Sequence, residues 1–338
     1  SLVICGKMGE EGKLVIFANR FYSTEMDYSF YTKQEAALLS ECTICPRECR
    51  ADRLSGRTGY CRTGGGMNIA SVCIHRGEEP PISGPDGICN IFFSGCNLRC
   101  VYCQNHEISR QTVAGMQDTY SYTDAIDTII SILEKGIRAV GFVSPSHVVP
   151  QVKAIIRGLN ERGWNPVTVY NTNGYDKPEV IDSLEGLIDV YLPDYKYFSP
   201  QLAGDFSDAP DYPEAAVRAL KRMYYQKGST LQLDEEGRAE SGILIRHLVL
   251  PGHSDDSLKV LRSIADELSP GIHLSLMSQY HPTPYVRGHR DLDRTLYNAE
   301  YEVVVREMEK LGFRNGWIQD MESHMNYRPD FRKEHPFE

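Results

Sequence analysis

The sequence predicts an α/β fold, a partial (βα)6 TIM-like barrel preceded by a small cysteine-rich, metal-binding region. Three observations support this prediction. From residue 87 onward, short apolar runs alternate with segments whose apolar residues recur with the helical period. Six such strand–helix units follow one another, and successive βα units form a parallel sheet that can curl into a barrel. Ahead of them, four cysteines lie between residues 42 and 61.

The barrel elements are read from these runs and from the turn residues between them. The predicted strands cover residues 88–94, 139–143, 166–171, 188–192, 243–250 and 272–278. The predicted helices cover residues 126–133 before Gly136, 149–159 before Gly163, 178–184, a segment from Pro213 to before Gly228, a segment capped by Ser254, and 293–310 before Gly312. Parallel strands end at one edge of the sheet, so we expect the active site there.

The residues before the barrel carry weaker signals. A hairpin is predicted from apolar runs at 2–5 and 13–17, a helix at 32–39 and a strand at 72–75. Two glutamates and two prolines at 78–81 predict an interruption of regular structure. His75 and Glu79 closely precede the first barrel strand and are candidates for the active site; the alternative is that this segment is an ordinary linker.

Four cysteines of this region have metal-ligand spacing. Cys42, Cys45, Cys49 and Cys61 follow the pattern C-x2-C-x3-C-x11-C. Four thiolates can close a structural zinc site or hold an auxiliary iron–sulfur cluster, and the alternative is ordinary buried thiols. The spacing differs from the C-x2-C-x2-C-x3-C run of two-cluster ferredoxins. Five arginines between residues 47 and 62 either screen thiolate charge, bind an anion or form a solvated face.

The strongest signal follows the first barrel strand. Cys96, Cys100 and Cys103 are spaced C-x3-C-x2-C, and Tyr102 precedes the last of them. Structural zinc and iron–sulfur cubes usually take four protein ligands. Three cysteines without a nearby fourth would leave one iron open to a small molecule. The alternatives are a zinc loop with a distant fourth ligand and unliganded thiols, but a buried strand that delivers the loop favours the cluster.

Composition excludes several classes of protein. Hydrophobic residues are 41% of the chain and charged residues 24%, as in ordinary globular proteins. We see no membrane-spanning apolar run and no secretory signal, and the net charge of −10 argues against an extended nucleic-acid surface. Ten cysteines, two groups of which have metal-ligand spacing, indicate a cytoplasmic metalloprotein rather than a disulfide-stabilised secreted one.

The three-cysteine loop, with its aromatic residue and preceding strand, resembles the signature of the radical SAM superfamily, and within it the pyruvate formate-lyase activating enzyme. The resemblance covers about residues 87–312. It implies a [4Fe–4S] cluster on the three cysteines, with S-adenosyl-L-methionine (SAM) bound to the fourth iron. It also implies that one-electron reduction cleaves SAM to a 5′-deoxyadenosyl radical, which abstracts hydrogen from a substrate that the sequence does not identify.

The resemblance further implies cofactor-binding roles for polar residues of the loop and of the strand ends. In chain order they are Tyr102, Gln104, Asn105, Ser144, His147, Asn171, Asn173, Asp194, Lys196, Arg246 and His281. Asp194, Lys196 and Arg246 resemble residues of the activating enzyme, and so does His281 after the last strand. The alternatives are a surface ion pair for Asp194 and Lys196 and a structural role for His281.

This chain departs from the superfamily pattern at two strand ends. Ser144, Ser146 and His147 stand where many members have a Gly-Gly-Glu run, so one of them would have to hold the methionine amine. The alternative for His147 is that it caps the next helix. Asn171 stands where the activating enzyme has an aspartate, which puts any cation bound by that acid in doubt.

We therefore expect two parts, residues 1–85 with the four-cysteine site and residues 86–338 with the barrel and a carboxyl-terminal extension. The predicted function is that of a radical SAM enzyme of the oxidoreductase or lyase type, although no catalytic side chain is identified. Flavodoxin or ferredoxin would supply electrons, and the substrate would be a small molecule, a peptide or a protein. The alternative is a non-catalytic iron–sulfur or zinc carrier or scaffold.

Overall fold

The computed structural model describes residues 6–8, 14–16, 27–111, 120–321 and 329–331. Two short strands near the amino terminus, β1 (Gly6–Met8) and β2 (Leu14–Ile16), pair antiparallel. The predicted hairpin is therefore present, but its first strand lies after residues 2–5, which are outside the described residues. The larger sheet comprises β3 (Ile69–His75), β4 (Ile88–Phe93), β5 (Ala139–Val143), β6 (Val167–Thr172), β7 (Val190–Pro193), β8 (Gln232–Leu233), β9 (Ala239–Leu248), β10 (His273–Met277) and β11 (Gly316–Ile318).

Helices connect and cover these strands. They are α1 (Lys33–Ser40), α2 (Pro80–Ser83), α3 (His106–Ser109), α4 (Tyr122–Leu133), α5 (Val149–Glu161), α6 (Pro178–Asp182), α7 (Pro200–Ser207), α8 (Tyr212–Lys227), α9 (Ser254–Glu267) and α10 (Asn298–Lys310). Every helix in the described ranges is too short or too polar to cross a lipid bilayer.

The strand order confirms the predicted α/β class with its parallel barrel sheet. The order is β11-β10-β9-β7-β6-β5-β4-β3, with β8 against β9. The six predicted strands are parallel neighbours, in the order β4, β5, β6, β7, β9 and β10. At the two edges of this sheet, β3 pairs antiparallel with β4 and β11 pairs parallel with β10. The sheet ends at these two edge strands, so the barrel is partial. Neither edge pairing was predicted.

Several element boundaries differ from the prediction. Strand β9 begins four residues early, in a polar stretch where Gly242 at φ 137° brings the backbone against Leu231. Ser254 does not cap α9, because His253 is the cap residue and the Ser254 hydroxyl donates to the Glu300 carbonyl at 3.1 Å. Helix α10 starts at 298 rather than 293. Helices α2, α3 and α7 were not predicted, and α2 begins at Pro80, where an interruption of regular structure was expected.

Alternation along the strands gives the sheet two different faces. Ile91, Phe142 and Tyr170 belong to the large core that the helices cover, whereas Ile88 and Val169 belong to a smaller cluster on the opposite face. Side chains alternate between the two faces along a strand. A polar residue that is adjacent in sequence to a residue of the large core therefore lies on the same face as the smaller cluster. The barrel interior therefore has an apolar end and, beyond it, a polar layer toward the carboxyl ends of the strands.

Candidate active site

The three-cysteine loop lies at the carboxyl end of β4, as predicted. Gly95 turns the chain with φ 74°, which favours glycine, and a Cβ there would lie 2.2 Å from the Cys61 carbonyl oxygen. The loop backbone is then held by the end of α7, since the Arg99 N–H donates to the Ser207 carbonyl at 3.1 Å and the Val101 N–H to the Phe206 carbonyl at 2.8 Å. Strand β4 and helix α7 thus fix the loop from two sides.

A chain of hydroxyl groups leads to one of the loop sulfurs. The Ser207 hydroxyl donates to Cys100 Sγ at 3.0 Å, and it shares a hydrogen bond of 2.7 Å with the Tyr197 hydroxyl. The Tyr197 hydroxyl in turn lies 2.5 Å from that of Tyr102, the predicted aromatic residue of the loop. Burial and the neighbouring Tyr197 raise the pKa of Tyr102, so both hydroxyls stay protonated and available as donors.

The other two sulfurs also have polar neighbours. The side-chain amide of Asn173 and the Leu98 N–H each lie 3.4 Å from Cys96 Sγ, and Cys103 Sγ lies 3.4 Å from the Ser109 hydroxyl. Burial raises the pKa of Cys96 to about 12 and also raises that of Cys103. These thiols would give up their protons only to a strong positive charge, such as that of bound iron.

The donor set of the loop fits an iron–sulfur cluster. Two of the three thiols on this short loop, Cys96 and Cys100, accept hydrogen bonds from side chains and backbone, and such donors stabilise the negative charge of cluster sulfurs. Among the residues that the structure describes, no three or more histidine, cysteine, aspartate or glutamate side chains converge on a position for a single metal ion.

A partly buried cation, Lys196, lies near this loop at the end of a neighbouring strand. Lys196 Nζ lies 2.6 Å from Asp194 Oδ2, just beyond the end of β7. Burial opposes the charge of Lys196, but Asp194 and then Cys100 offset it, so the pKa of the lysine is raised. Burial likewise opposes the charge of Asp194, yet Lys196 and Arg246 lower the pKa of its carboxyl. Both side chains are therefore ionised at neutral pH.

Arg246 connects Asp194 to a deeper polar layer. Its guanidinium lies 3.0 Å from Asp194 Oδ1, 2.5 Å from Asn171 Oδ1 and 3.2 Å from Glu78 Oε2. Glu78 Oε1 accepts from the amides of Asn171 at 3.1 Å and Asn90 at 2.9 Å. A buried arginine is costly unless it is paired, and here two carboxylates and an amide satisfy it. Asn171, which replaces an acid of the activating enzyme, thus contacts a guanidinium.

Glu78 is a site residue that sequence reasoning missed in favour of its neighbour. Two features of the sequence could have indicated Glu78. It shortly precedes Pro80 of α2, and Asn90 is a lone polar residue within the apolar strand β4. Glu79 also lies near Arg246. Burial raises the pKa of its carboxyl, and the charge of Arg246 acts in the opposite direction. Its Oε2 atom is buried without a hydrogen-bond partner among the described residues. Burial lowers the pKa of His75, which also lies near Arg246.

The segment after β5 is hydrogen-bonded to the start of the cysteine loop, to the four-cysteine region and to the end of β6. His147 Nε2 bonds the Ser94 carbonyl at 3.0 Å, and Arg53 donates to the His147 carbonyl at 2.6 Å. Burial lowers the pKa of His147 to about 4. The cap residue of α5 is Val148, so His147 does not cap it.

The two serines of this segment differ in their surroundings. The Ser146 hydroxyl is hydrogen-bonded to Thr172 at 2.8 Å and to Asn173 at 3.4 Å. Ser144 is partly exposed and has a φ of 52°.

The remaining predicted residues line the other side of the loop. Gln104 donates to the carbonyl of His281 at 2.9 Å, and Thr283 donates to the Val101 carbonyl at 2.5 Å. Asn105 precedes α3 without capping it through its side chain. The segment after β10 is therefore fastened to the cysteine loop through backbone carbonyls. Asn97, which was not predicted, accepts from the amide of Asn173 at 2.8 Å.

The four amino-terminal cysteines gather beside this site. Cys42, Cys45 and Cys61 are buried and Cys49 is exposed; none of the nine cysteines in the described ranges forms a disulfide. Burial raises the pKa of Cys45 to about 12, and the nearby thiols of Cys61, Cys42 and Cys49 act in the same direction. A metal site on these four cysteines stays a prediction, and Cys5 lies outside the described residues.

Comparison with known proteins places the fold and site in a family. The sequence matches the radical SAM superfamily over residues 90–264. An uncharacterized protein of Methanocaldococcus jannaschii is 28% identical over 278 residues, which cover 81% of this chain and 75% of that protein. A 7-carboxy-7-deazaguanine synthase of Methanopyrus kandleri is 24% identical over 188 residues, which cover 50% of this chain and 70% of that protein.

Two solved structures are similar at 13% sequence identity. One is Streptococcus suis SuiB bound to its precursor peptide SuiA, with a TM-score of 0.43 over 67% of this chain and 47% of SuiB, so this chain spans about half the length of SuiB. The other is a domain of pyruvate-formate lyase-activating enzyme from Bacteroides vulgatus, with a TM-score of 0.36 over 51% of this chain and 93% of that domain.

The superfamily match begins within β4 and runs through the cysteine loop to α9, so it contains the loop, Lys196 and Arg246. It covers half of the sequence and coincides with the parallel strands described above. The chain belongs to the radical SAM superfamily.

Proposed function

We propose that this chain is a radical SAM enzyme that removes a hydrogen atom from its substrate, with the active cluster on Cys96, Cys100 and Cys103. The observation that carries the proposal is the placement of the three thiols at the strand ends, near the partly buried Lys196. Family membership implies iron–sulfur and SAM binding. When bound and reduced by one electron, the cluster cleaves SAM and supplies a 5′-deoxyadenosyl radical.

The polar residues around the loop orient the cofactor. Lys196 is the cation that would pair with the methionine carboxylate of SAM. Asp194 binds Lys196 through one carboxylate oxygen and Arg246 through the other. Asn171 and Asn173 are amides that can bond the ribose hydroxyls or the same carboxylate. Ser207 donates to a cluster ligand, which stabilises the reduced, more negative cluster.

The reaction requires a one-electron donor, for which flavodoxin or ferredoxin is suitable, and a reducing compartment such as the cytoplasm. We propose that residues 1–85 form the four-cysteine part and residues 86–338 the barrel with its extension. The substrate is a small molecule, a peptide or a protein whose abstractable hydrogen enters beside the loop.

The test is release of 5′-deoxyadenosine. Anaerobically reconstituted protein, reduced in the presence of SAM, is expected to produce it, and the Cys96→Ala/Cys100→Ala/Cys103→Ala variant is not. Cys73→Ala, which replaces a buried cysteine of β3 outside both cysteine sets, is the matched control and retains the activity. A protein with a full cluster that binds no SAM and releases no 5′-deoxyadenosine would instead be an iron–sulfur carrier or scaffold.

A further inference from the structure

Four arginines surround the cysteine loop without a carboxylate partner. Arg99 lies within the loop, just before Cys100, and Arg110 ends the short helix α3 that follows the loop. Arg47 and Arg62 come from the four-cysteine region. Among the residues that the structure describes, none of these four, here called the arginine surface, forms an ion pair with an acidic side chain.

Backbone carbonyls hold three of these guanidiniums in place. Arg47 donates to the carbonyl of Asn97 at 2.9 Å, and Arg110 donates to that of Cys100 at 3.2 Å. Arg62 in turn donates to the carbonyl of Arg110 at 3.5 Å. A carbonyl oxygen accepts a hydrogen bond but carries no net charge, so these contacts position the guanidiniums and leave their positive charge uncompensated.

Aromatic rings order the same side chains. The guanidinium carbons of Arg47 and Arg99 lie 3.9 Å and 4.4 Å from the centre of the Tyr60 ring, and that of Arg110 lies 4.1 Å from the centre of the Tyr285 ring. Cation–π contacts of this kind fix a guanidinium without neutralising it. Two cations that share one ring repel each other, and an anionic partner would offset that repulsion.

The charge of this surface is opposite to that of the whole chain. The net charge of the chain is −10, yet the arginine surface is positive. The carboxylate of Asp208 accepts from the Tyr60 hydroxyl at 2.7 Å, and this single negative charge leaves the four arginines in excess. Arg62 and Arg99 are exposed, so a partner can reach them. Such a contrast steers an acidic protein to the positive surface and repels it elsewhere.

The arginine surface also lies on the loop that carries the proposed cluster ligands. Cys96, Cys100 and Cys103 are partly exposed, and the Cys100 carbonyl is one of the acceptors of Arg110. A protein that docks on these arginines therefore lies beside the ligands of the active cluster. An electron delivered there has only the loop itself to cross.

From this arrangement we infer that the arginine surface is the docking site of an acidic one-electron carrier protein of the flavodoxin class. The inference rests on the proposed function, which requires a reduced cluster on the loop. In the complex, the anionic flavin hydroquinone loses one electron and becomes the neutral semiquinone, and the loop cluster gains that electron. No bond forms or breaks and no proton moves. An extended nucleic acid fits less well, because the net charge of −10 repels its backbone beyond the arginines.

Binding tests the surface directly. The Arg62→Glu/Arg99→Glu variant reverses two exposed charges and leaves the bonds of Arg47 and Arg110 to the loop in place. We expect it to bind flavodoxin about tenfold more weakly than the wild type in calorimetry of the reconstituted protein at low salt, and we expect the wild-type affinity to fall as salt is added.

The control for binding is Arg218→Glu/Arg306→Glu, which makes the same change in net charge at exposed positions of α8 and α10 and should keep the wild-type affinity. Equal flavodoxin affinity in the two double variants would overturn the inference. Binding of poly(U) RNA that is lost only in Arg62→Glu/Arg99→Glu would assign the surface to nucleic acid and would overturn it as well.

The rate of cluster reduction tests the role of this docking. Followed by absorbance without SAM, reduction by flavodoxin hydroquinone should be about tenfold slower in Arg62→Glu/Arg99→Glu. Photoreduced 5-deazaflavin, a small uncharged reductant, should reduce this variant at the wild-type rate. Equal flavodoxin rates in the variant and its control would contradict the proposal. If the deazaflavin-reduced wild type released no 5′-deoxyadenosine, the proposed function would fail, whereas the binding measurements would still decide the docking site.

Discussion

Lys196 is a partly buried cation that we expect to pair with the carboxylate of SAM. We expect Lys196→Met to bind SAM about 10- to 100-fold more weakly, because a hydrogen bond to a charged group contributes about 1.5–3 kcal/mol. Iron content should stay the same. The measurement is a SAM titration of the reconstituted protein. Lys153→Met is the control, since Lys153 lies on α5 and donates to Ser183. Unchanged SAM affinity in Lys196→Met would remove this role.

Ser207 is expected to tune the cluster rather than to bind the cofactor. Its hydroxyl donates to Cys100 Sγ, so Ser207→Ala removes one stabilising contact with the reduced cluster. The reduction potential measured by EPR titration should become more negative, and SAM affinity should change little. Ser109→Ala, which removes the hydroxyl beside Cys103, is a matched comparison and should shift the potential in the same direction. A potential equal to that of the wild type would contradict the assignment.

The sequence identified the candidate site residues that belong to a local pattern, and it missed those whose contacts come from distant segments. Cys96, Cys100 and Cys103 stand out because their spacing is short. Asp194 and Lys196 stand out because they end an apolar strand. The contacts of Glu78, Tyr197 and Ser207 arise only when α2 and α7 pack against the strand ends, and no local pattern encodes that packing. Cofactor binding by all these residues stays a prediction.

Among the elements, packing within the four-cysteine region (residues 42–61) requires that residue 59 has no side chain. We expect Gly59→Ala to displace Cys49, because a Cβ there would lie 2.1 Å from its sulfur. If Cys49 is a metal ligand as predicted, the variant should hold less metal than the wild type. Gly64→Ala is the matched control, since its nearest atom would be 4.0 Å away. The measurement is the metal content per chain. Equal metal content in both variants would contradict the predicted role of Cys49 as a ligand.

The strands and long helices were predictable because apolar period and turn residues coincide along the chain. The strand run at 88–94 and the helical stripe at 149–159 each fall within two residues of the observed ends. The short α2 and the edge strand β11 were missed because their residues become ordered through neighbours: β11 continues the sheet only by pairing with β10. Register and edge pairing are properties of the assembled sheet, not of the segment.

For the molecule as a whole, two buried histidines link stability to pH. Burial lowers the pKa of His147 and of His247 from 6.5 to about 4. Between these pH values the unfolded chain binds more protons than the folded chain, so the free energy of unfolding falls as the pH falls. From pH 6.5 to pH 5 each ring should lower the free energy of unfolding by about 1.5 kcal/mol.

Urea unfolding at several pH values checks this expectation. His247→Gln should show a shallower decline than the wild type, because the glutamine amide does not titrate. The same slope in His247→Gln as in the wild type would show that the buried ring is not responsible.

The central claim is that the three-cysteine loop leaves one iron for SAM. The most direct measurement is the Mössbauer spectrum of iron-57-enriched protein before and after SAM is added under anaerobic conditions. We predict that one iron of the loop cluster changes its isomer shift toward that of a higher-coordinate site, while its partners keep theirs. A spectrum in which SAM leaves every iron unchanged would contradict the account.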